Sequence, residues 1–331
     1  MKEILNYLYE HKTLDRDAAK KVLTNIARGT YNHSQIASFI SVYLMRSITV
    51  DELSGFRDAL LDLCIPVDLS GYDTIDLCGT GGDGKDTFNI STLTSFVVAG
   101  AGARVAKHGN YGVTSACGSS NLMEYAGYKF SNDQAKLQRE IDKAGICFIH
   151  APLFNPAMKN VAPVRRELGI KTFFNMLGPM VNPSFPKRQM VGVYSLELAR
   201  LYSYLYQSTD KHYAILYSLD GYDEISLTGP CKVITRETDR VYHPSDFNLP
   251  ACEPEELRGG GTVDEAMKIF IDVLENRAAP ARQDVIIANG GLALKTCFPA
   301  LNLEECIEKA RDSVESGSAM KAFRTLIEMN K

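Results

Sequence analysis

The residues with the clearest chemical meaning lie in the segment 73–92. Four of its residues within six positions are glycines: Gly79, Gly81, Gly82 and Gly84. A strand-like apolar run precedes them, and an Asn-Ile-Ser-Thr sequence typical of a helix cap leads into an apolar helical segment at 93–101. Glycines let backbone N–H groups converge on a ligand, and a helix start adds unpaired N–H groups and a positive dipole end. The segment therefore predicts a phosphate or diphosphate site.

Glycine-rich turns between a strand and a helix also serve as purely structural turns, so the glycines alone leave both readings open. No Gly-x-x-x-x-Gly-Lys-Ser/Thr is present, and Gly-x-Gly-x-x-Gly fits only if the polar Asp83, Asp86 and Asn89 are ignored. Asp83 would repel a bare phosphate. A magnesium ion, or a ribose hydroxyl that donates to the carboxylate, would resolve that conflict.

Positive charge is supplied by the next block of the chain. A short strand-like run at 104–107 ends in Lys107, and the polar turn 108–110 follows it. Lys107 suits a phosphate as a point charge, and Ser119 and Ser120 stand at a second helix start as hydroxyl donors. A lone Lys-His pair is more often solvated surface. Here it follows a strand, as a second loop at the same sheet edge would.

Helical patterns dominate the first part of the chain. Apolar residues recur at i, i+3 and i+4 over the segments 1–10, 15–27, 34–46 and 50–64. Asn32 with Gln35, and Thr49 with Glu52, have the spacing of capping boxes. These segments predict a small all-helical domain.

From residue 72 onward, strand-like runs alternate with helical segments. The runs are 74–78, 104–107, 147–150, 190–194 and 213–218. Further strand candidates at 224–227, 232–236 and 240–243 are too closely spaced for crossover helices, which predicts antiparallel pairing. Helical patterns at 262–276, 281–295 and 303–330 follow. This order predicts an α/β domain with a mixed sheet.

Motifs in one order across residues 79–226 resemble those of the anthranilate phosphoribosyltransferases. They are Gly79-Thr-Gly-Gly-Asp83, Asn89-Ile-Ser-Thr92, Lys107-His-Gly-Asn110, Gly118-Ser119, the run 151–169, Phe174-Asn-Met-Leu-Gly-Pro179, Asn182-Pro183 and 220–226. The resemblance implies a nucleoside phosphorylase-like fold with a small helical domain and a large α/β domain whose central mixed sheet is mostly parallel. It implies a small domain at 1–70 with a returning segment near 162–186, a large domain at 71–161 and 187–331, and an active site in the cleft between them.

The resemblance also implies a magnesium-dependent transfer of the phosphoribosyl group from 5-phosphoribosyl-1-diphosphate to anthranilate, in tryptophan biosynthesis. For the donor it implies Gly79, Thr80, Gly81, Gly82, Asp83, Thr87, Asn89, Ser91, Thr92, Lys107 and Ser119. For anthranilate it implies Gly79, His108, Asn110, Pro152 and Arg165. Two magnesium ions are expected with the diphosphate, held by Ser91, Asp223 and Glu224.

Chemical reasoning refines three of these roles. Arg165 is assigned to the acceptor carboxylate because its planar fork can bind both oxygens, whereas Arg166 points about 100° away around the helix. No catalytic base is assigned, since the neutral arylamine is already nucleophilic; His108 is the candidate to accept or relay its proton, or to position the acceptor. Without the resemblance, Arg165 and the adjacent acids 223 and 224 would be read as ordinary solvent-facing charges.

The chain departs from the commonest family pattern in places. Tyr111-Gly112 stands where Arg-Ser is expected, Asn121 where Asp often occurs, and Asn155 where His is frequent. These differences affect the predicted anthranilate site more than the predicted diphosphate site. Two alternatives stay open at this stage: a pyrimidine nucleoside phosphorylase-like enzyme, and a non-catalytic paralogue that binds nucleic acid.

Composition limits the remaining classes. A length of 331 residues with 45% hydrophobic content favours about two domains with sizeable cores. A net charge of −4 argues against a nucleic-acid surface, and the eight scattered cysteines without Cys-x-x-Cys favour reduced thiols. No leader pattern and no apolar run of about 20 residues is present, so no membrane partner and a cytoplasmic location are predicted. The family likeness predicts a homodimer, with Ile36, Phe39, Ile40 and Tyr43 available either to that interface or to the domain core.

Overall fold

The computed structural model describes residues 1–112 and 117–330. Contacts divide the chain into a helical unit, Met1–Val67 with Ala151–Phe185, and an α/β unit, Asp68–His150 with the chain from Pro186 onward. The returning segment of the helical unit thus begins at 151, ahead of the 162 expected from the sequence. It does so because the 3-10 turn Pro156–Asn160 packs against the helices Arg16–Ala27 and Val50–Leu63.

Helices alternate with strands only in the α/β unit. In chain order the helices are α1 (Lys2–Tyr9), α2 (Arg16–Ala27), α3 (His33–Met45), α4 (Val50–Leu63), α5 (Ile90–Gly100), α6 (Ser119–Tyr125), α7 (Gln134–Ala144), α8 (Ala151–Phe154), α9 (Ala162–Leu168), α10 (Phe174–Leu177), α11 (Leu196–Gln207), α12 (Val263–Leu274), α13 (Pro280–Cys297), α14 (Leu303–Glu315) and α15 (Ser318–Glu328). Short 3-10 turns cover Pro156–Asn160, Gly178–Met180, Pro244–Phe247 and Pro254–Leu257.

One sheet forms the centre of the α/β unit. Its strands are β1 (Thr74–Gly79), β2 (Arg104–Gly109), β3 (Ile146–His150), β4 (Arg188–Gly192), β5 (His212–Ser218), β6 (Cys231–Thr235) and β7 (Asp239–Tyr242). Their spatial order is β3-β2-β1-β4-β5-β6-β7. The first five strands pair in parallel, and β6 and β7 add antiparallel pairs at one end. The predicted mixed, mostly parallel sheet is confirmed.

Capping and aromatic packing organise the helical unit. The side chains of Asn32 and Thr49 each cap the N-terminus of a helix in a complete capping box, as their spacing predicted. Phe56 and Phe173 stack with ring centroids 4.7 Å apart. The four residues considered for either a dimer interface or the core are buried within this unit: Ile36, Phe39, Ile40 and Tyr43. They form its core.

Helix α5 runs through the middle of the α/β unit. It contacts β1 and β2 on the sheet, and α13, α14 and α15 on its other sides, which explains why almost all of its residues are buried. The ring of Phe96 meets those of Phe270 and Phe323 edge-on, at 5.8 and 5.3 Å. This packing fixes the start of α5 relative to the strand ends.

Two predicted elements are wrong. Residues 224–227 form no strand, because their backbone bonds to side chains: Asn289 accepts from the Ile225 N–H, and Ser218 donates to the Glu224 carbonyl. The helical pattern at 303–330 is split into α14 and α15 by Gly317, whose φ of +75° ends the first helix. All eight cysteines are free thiols. Within the described ranges, no helix is both long and apolar enough to cross a membrane.

Candidate functional site

The chemically distinctive residues of the α/β unit gather at the carboxyl edge of its parallel strands. β1 ends at Gly79, β2 at Gly109 and β4 at Gly192. The chain runs outward from β1 through β2 to β3 on one side, and from β4 to β5 on the other. Such a switch point between β1 and β4 is where open α/β sheets bind ligands.

The glycine loop after β1 adopts a backbone that few residues other than glycine tolerate. Gly81, Gly82 and Gly84 have φ angles of +62°, +79° and +74°, and Asp86 also has a positive φ, +51°. Without a Cβ, the glycines also allow a ligand to approach the backbone of the loop closely. The loop thus has the shape of an anion cradle.

Asp223 closes against this loop. The Gly81 N–H donates to Asp223 Oδ2 at 2.8 Å. A Cβ on Gly79 would lie 2.4 Å from the same oxygen, and a Cβ on Gly192 would lie 1.5 Å from the Asp223 carbonyl oxygen. Glycine at both strand ends is therefore what lets the segment of Asp223 and Glu224 reach the glycine loop.

The two adjacent carboxyl groups are buried, with residue exposures of 7% for Asp223 and 8% for Glu224. Burial and the nearby Asp83 carboxylate raise the pKa of Asp223 to about 7. Burial, followed by the charge of Asp223, raises the pKa of Glu224 well above its ordinary value, and Lys107 partly opposes this shift. Such a cluster of carboxyl groups is suited to a bound cation.

Lys107 lies beneath that cluster and is 1% exposed. Its Nζ donates to the Leu77 carbonyl oxygen at 2.5 Å and to Ser91 Oγ at 3.5 Å. Burial lowers the pKa of Lys107, while Asp76 and Glu224 are among the acids that act in the opposite direction. The structure thus joins Lys107 to Ser91 and to the carboxylate segment, as a buried positive charge below the cradle.

The start of α5 differs in detail from the sequence expectation. Asn89 holds the N-cap position, but its side chain does not cap the helix; its Nδ2 instead donates to the Cys117 carbonyl at 2.9 Å. Ser91 supplies a backbone hydrogen bond to Glu224. The Thr92 side chain is buried in the first turn of the helix. Asn89 therefore fastens the second loop to the first.

The remaining donor-side residues line the turn. The Thr80 N–H donates to the Gly192 carbonyl at 2.9 Å, and Thr80 Oγ1 is buried with no hydrogen-bond partner among the described atoms. Asp83 Oδ1 accepts from the Lys85 N–H at 3.1 Å. Thr87 pairs with Arg258 through an isolated β-bridge. Thr80 Oγ1 is thus a buried hydroxyl without a hydrogen-bond partner at the edge of the glycine loop.

The loop after β2 carries the other predicted contacts of this unit. His108 is buried, and its N–H donates to Asp76 Oδ1 at 3.0 Å. Asn110 is exposed, and its carbonyl accepts from the Ser120 N–H at 3.1 Å and from Ser119 Oγ at 3.3 Å. Ser119 is consequently tied to the loop backbone.

Several supporting residues were missed in the sequence. Asp76 is fully buried and also accepts from Gln189 Nε2 at 3.3 Å, while Tyr206 donates to Gln189 Oε1 at 2.6 Å. Asn289, in the middle of α13, bonds both the N–H and the carbonyl of Ile225. The sequence did contain two signals of these roles: Asp76 is a charged residue inside an apolar strand, and Asn289 is a polar residue inside an apolar helix.

Two predicted acceptor residues belong to the helical unit. Pro152 is exposed. Arg165 is half-buried; its Nη2 donates to Asn175 Oδ1 at 3.4 Å and its guanidinium lies 5.5 Å from the Phe174 ring, and burial lowers its pKa. Arg166 is exposed, as the helix geometry predicted. Asn155 is buried, with no partner for its Oδ1 in the described part of the chain.

The sequence models of two families match the chain. One, described as glycosyl transferase family, a/b domain, matches residues 71–320, and the other, glycosyl transferase family, helical bundle domain, matches residues 2–64. Within the described residues, no three His, Cys, Asp or Glu side chains form a self-contained metal site. A cation at Asp223 and Glu224 would therefore share its coordination with a ligand.

Full-length relatives and solved structures agree on a narrower family. The chain is 57% identical over 331 residues to the anthranilate phosphoribosyltransferase of Christiangramia forsetii, with 100% of both chains covered. It is 58% identical over 330 residues to that of Flavobacterium psychrophilum, again with 100% of both covered.

Among solved structures, the anthranilate phosphoribosyltransferase of Thermus thermophilus superposes with a TM-score of 0.91 at 27% identity, with 99% of each chain covered. That of Saccharomyces cerevisiae, in complex with PRPP and Mg, gives a TM-score of 0.88 at 26% identity, covering 96% of this chain and 93% of the other. The chain belongs to the anthranilate phosphoribosyltransferase family.

Proposed function

We propose that the chain transfers the phosphoribosyl group of 5-phosphoribosyl-1-diphosphate to the amino nitrogen of anthranilate, a step of tryptophan biosynthesis. The products are N-(5-phosphoribosyl)anthranilate and diphosphate. The observation that carries the proposal is the convergence of the glycine loop, Lys107 and the Asp223–Glu224 segment at one sheet edge. The names of the full-length relatives support anthranilate as acceptor, and nothing comparable favours the nucleoside phosphorylase or nucleic-acid-binding alternatives.

The donor is assigned to the cradle at this edge. The diphosphate is proposed to lie against the glycine loop, whose positive-φ glycines allow close approach to the backbone. Asp83 faces the ribose hydroxyls or the cation, which avoids contact between two anions. The full proposed set is Gly79, Thr80, Gly81, Gly82, Asp83, Thr87, Asn89, Ser91, Thr92, Lys107 and Ser119.

The residues present fit magnesium. Two buried carboxyl groups with raised pKa values and one hydroxyl offer the oxygen ligands that this ion prefers, and its other positions can be filled by water and diphosphate. Ser91, Asp223 and Glu224 would hold it, with two ions for the bound diphosphate. When bound, magnesium neutralises charge on the departing diphosphate. The yeast relative solved with PRPP and Mg supports this use.

The reaction breaks the bond between ribose C1 and the diphosphate oxygen and forms a bond between C1 and the arylamine nitrogen. Its transition state resembles the oxocarbenium ion of glycoside cleavage. The loop N–H groups and Lys107 stabilise the leaving group, and the amine attacks the opposite face of the ribose. The amine loses one proton, for which His108 is the candidate acceptor or relay, although positioning of the acceptor is an equal role for it.

The acceptor residues are those that the family resemblance implies. Arg165 binds its carboxylate, because a guanidinium fork matches two carboxylate oxygens and the half-buried position strengthens the contact. Gly79, His108, Asn110 and Pro152 are the other proposed acceptor residues. A structure of the yeast relative in complex with 4-fluoroanthranilate supports an aromatic acid as the acceptor.

We also propose that the protein is a cytoplasmic homodimer that associates through its helical unit. The core residues of α3 are unavailable for this contact, but Leu44 and Met45 at its end are exposed, Met45 to 88%. Sedimentation of the wild type and of Met45→Glu tests this: a dimer that dissociates in the variant supports the interface, and a wild-type monomer contradicts it.

One assay tests the activity. Protein, magnesium and 5-phosphoribosyl-1-diphosphate are mixed with anthranilate, and loss of acceptor fluorescence is followed with and without a chelator. The double variant Asp223→Asn/Glu224→Gln should slow turnover on the order of a hundredfold or more. Glu304→Gln/Glu308→Gln, which removes two exposed acids of α14, is the matched control and should retain the wild-type rate. Unchanged magnesium dependence in the first variant would contradict the metal assignment.

A further inference from the structure

His150, at the carboxyl end of β3, has a role that the reaction described above does not use. It pairs in register with Gly109, next to the predicted acceptor residues His108 and Asn110. The side chain is buried, with a residue exposure of 5%. A buried imidazole at the edge of a substrate loop needs specific partners.

Three side chains enclose that imidazole. Its Nδ1 lies 2.9 Å from Ser120 Oγ. The Phe130 ring stacks on it, with centroids 4.3 Å apart and planes at 20°, and the Tyr111 ring meets it edge-on at 4.9 Å and 78°. The His150 ring is thus fixed by a stacked ring, by an edge-to-face ring contact and by a hydrogen bond to Nδ1.

Two partners of His150 connect it to the loop 108–112, which carries the predicted acceptor residues: Tyr111 belongs to this loop and Ser120 bonds to it. The Ser120 N–H donates to the Asn110 carbonyl at 3.1 Å, so one residue links His150 to that carbonyl. Tyr111 follows Asn110 directly, and its N–H donates to Asn110 Oδ1 at 2.8 Å. Asn121 Oδ1 accepts from the N–H groups of Gly112 and Gly118, at 3.0 and 3.1 Å, which joins the same loop to α6.

The electrostatic setting keeps the imidazole neutral. Burial, and secondly the neighbouring His108, lower the pKa of His150 to about 4. A neutral ring shares one hydrogen bond between Nδ1 and Ser120 Oγ, and its tautomer decides which atom donates. The hydrogen bond is therefore maintained at neutral pH.

We propose that His150 is a positioning residue for the acceptor: through Ser120 and Tyr111 it fixes the backbone of the loop 108–112 that meets anthranilate. Position 111 carries Tyr where Arg is expected from the family pattern, and the Tyr111 ring packs on His150. The inference rests on the proposed function. It concerns the affinity for the acceptor and leaves the diphosphate cradle unchanged.

The test compares two variants that remove the same hydrogen bond from opposite ends. His150→Phe keeps a flat ring for Phe130 and Tyr111 but has no ring nitrogen, and Ser120→Ala has no hydroxyl. Each should raise the KM for anthranilate about three- to tenfold, with the KM for 5-phosphoribosyl-1-diphosphate within about twofold of the wild type. The double variant should have a KM for anthranilate no higher than that of the more impaired single variant, because each single substitution already removes the same interaction. His212→Phe, the same change at the exposed start of β5, should match the wild type.

Melting temperatures are measured alongside the kinetics. Equal rises in the KM values for anthranilate and for the donor would overturn the inference, and so would a loss of kcat alone. Additive increases in the KM for anthranilate in the double variant would also overturn it. Should His150→Phe fail to fold, Ser120→Ala alone decides between these outcomes. A wild-type protein that transfers nothing to anthranilate would overturn the proposed function, whereas an active wild type with unaltered variants would overturn only the role of His150.

Discussion

Gly79 has no side chain because Asp223 occupies the space that a Cβ would need. The added atom would lie 2.4 Å from Asp223 Oδ2, closer than atoms approach in folded proteins. Either the carboxylate or the end of β1 must then move. If Asp223 holds magnesium as proposed, catalysis depends on the position of its carboxylate, and even the addition of one methyl group should have a chemical effect.

Gly79→Ala should therefore lower kcat/KM by about tenfold or more, equivalent to about 1.4 kcal/mol, and raise the magnesium concentration needed for half-maximal rate. Gly71→Ala is the matched control, because no atom lies within 4 Å of its added Cβ. Steady-state rates against magnesium check the prediction. Wild-type magnesium dependence in Gly79→Ala would show that Asp223 does not hold the ion.

Arg165 and Arg166 offer a second comparison between neighbouring residues. Arg165→Ala should raise the KM for anthranilate roughly 10- to 100-fold, since a charge-assisted contact is worth about 1.5–3 kcal/mol, and should change the KM for the donor far less. Arg166→Ala removes the same charge from an exposed position and should leave both values unchanged. Equal weakening of both substrates in Arg165→Ala would make the residue structural.

The residues of the site were predicted from the sequence to different degrees. The glycines and Lys107 follow from residue type and spacing, because few backbones other than a tight loop need glycine four times in six positions. Asp223 and Glu224 lie far along the chain, and only the family resemblance connected them to the loop. Asp76 and Gln189 escaped notice because they are contributed by two strands that pair only in the folded sheet.

At the level of elements, α13 holds the carboxylate segment in place. Asn289 accepts from the Ile225 N–H at 3.1 Å and donates to the Ile225 carbonyl at 2.8 Å. This side chain replaces the strand pairing that residues 224–227 would otherwise need. The apparent strand in the sequence is a loop in the fold for that reason, and neighbouring residues alone give no sign of it.

Asn289→Ala should destabilise the protein by about 1–3 kcal/mol and also weaken magnesium activation, because it leaves buried backbone groups of Ile225 unsatisfied. Gln283→Ala, earlier on the same helix, removes a buried bond to the Val273 carbonyl and is the control. It should cost stability without altering the magnesium response. Chemical denaturation measures the loss of stability, and rates measured against magnesium concentration measure the activation. The same magnesium response in Asn289→Ala and Gln283→Ala would contradict a role for Asn289 in the site.

For the whole molecule, acid stability should depend on His150. Its pKa in the folded state is about 4, against an ordinary value of 6.5, so the unfolded chain binds more protons between those two values. The contribution of His150 to the free energy of unfolding is then complete above pH 6.5 and falls as the pH drops toward 4. At about 1.4 kcal/mol per pH unit, the loss reaches up to ~3 kcal/mol.

His150→Phe should remove most of this loss, so its unfolding free energy should vary less between pH 6.5 and 4 than that of the wild type. The groups that face the imidazole are His108, Ser120, Tyr111 and Phe130, and Glu124 accepts from the Tyr111 hydroxyl at 3.4 Å. Denaturant unfolding at several pH values checks the prediction, with His212→Phe as the exposed control. The prediction would be contradicted if the free energy of unfolding fell with pH by the same amount in the wild type and in His150→Phe.

The order of strands in the sheet bears on how the protein is made. β1 lies between β2 and β4, yet β4 leaves the ribosome only after the segment 151–185 that completes the helical unit. A nascent chain that has reached residue 150 therefore has a helical unit without its second segment and a central strand with one open edge. Such edges attract other chains. We expect translation of the next forty residues to be the interval of greatest need for chaperones, and a gene divided between codons 150 and 151 to give an insoluble first half.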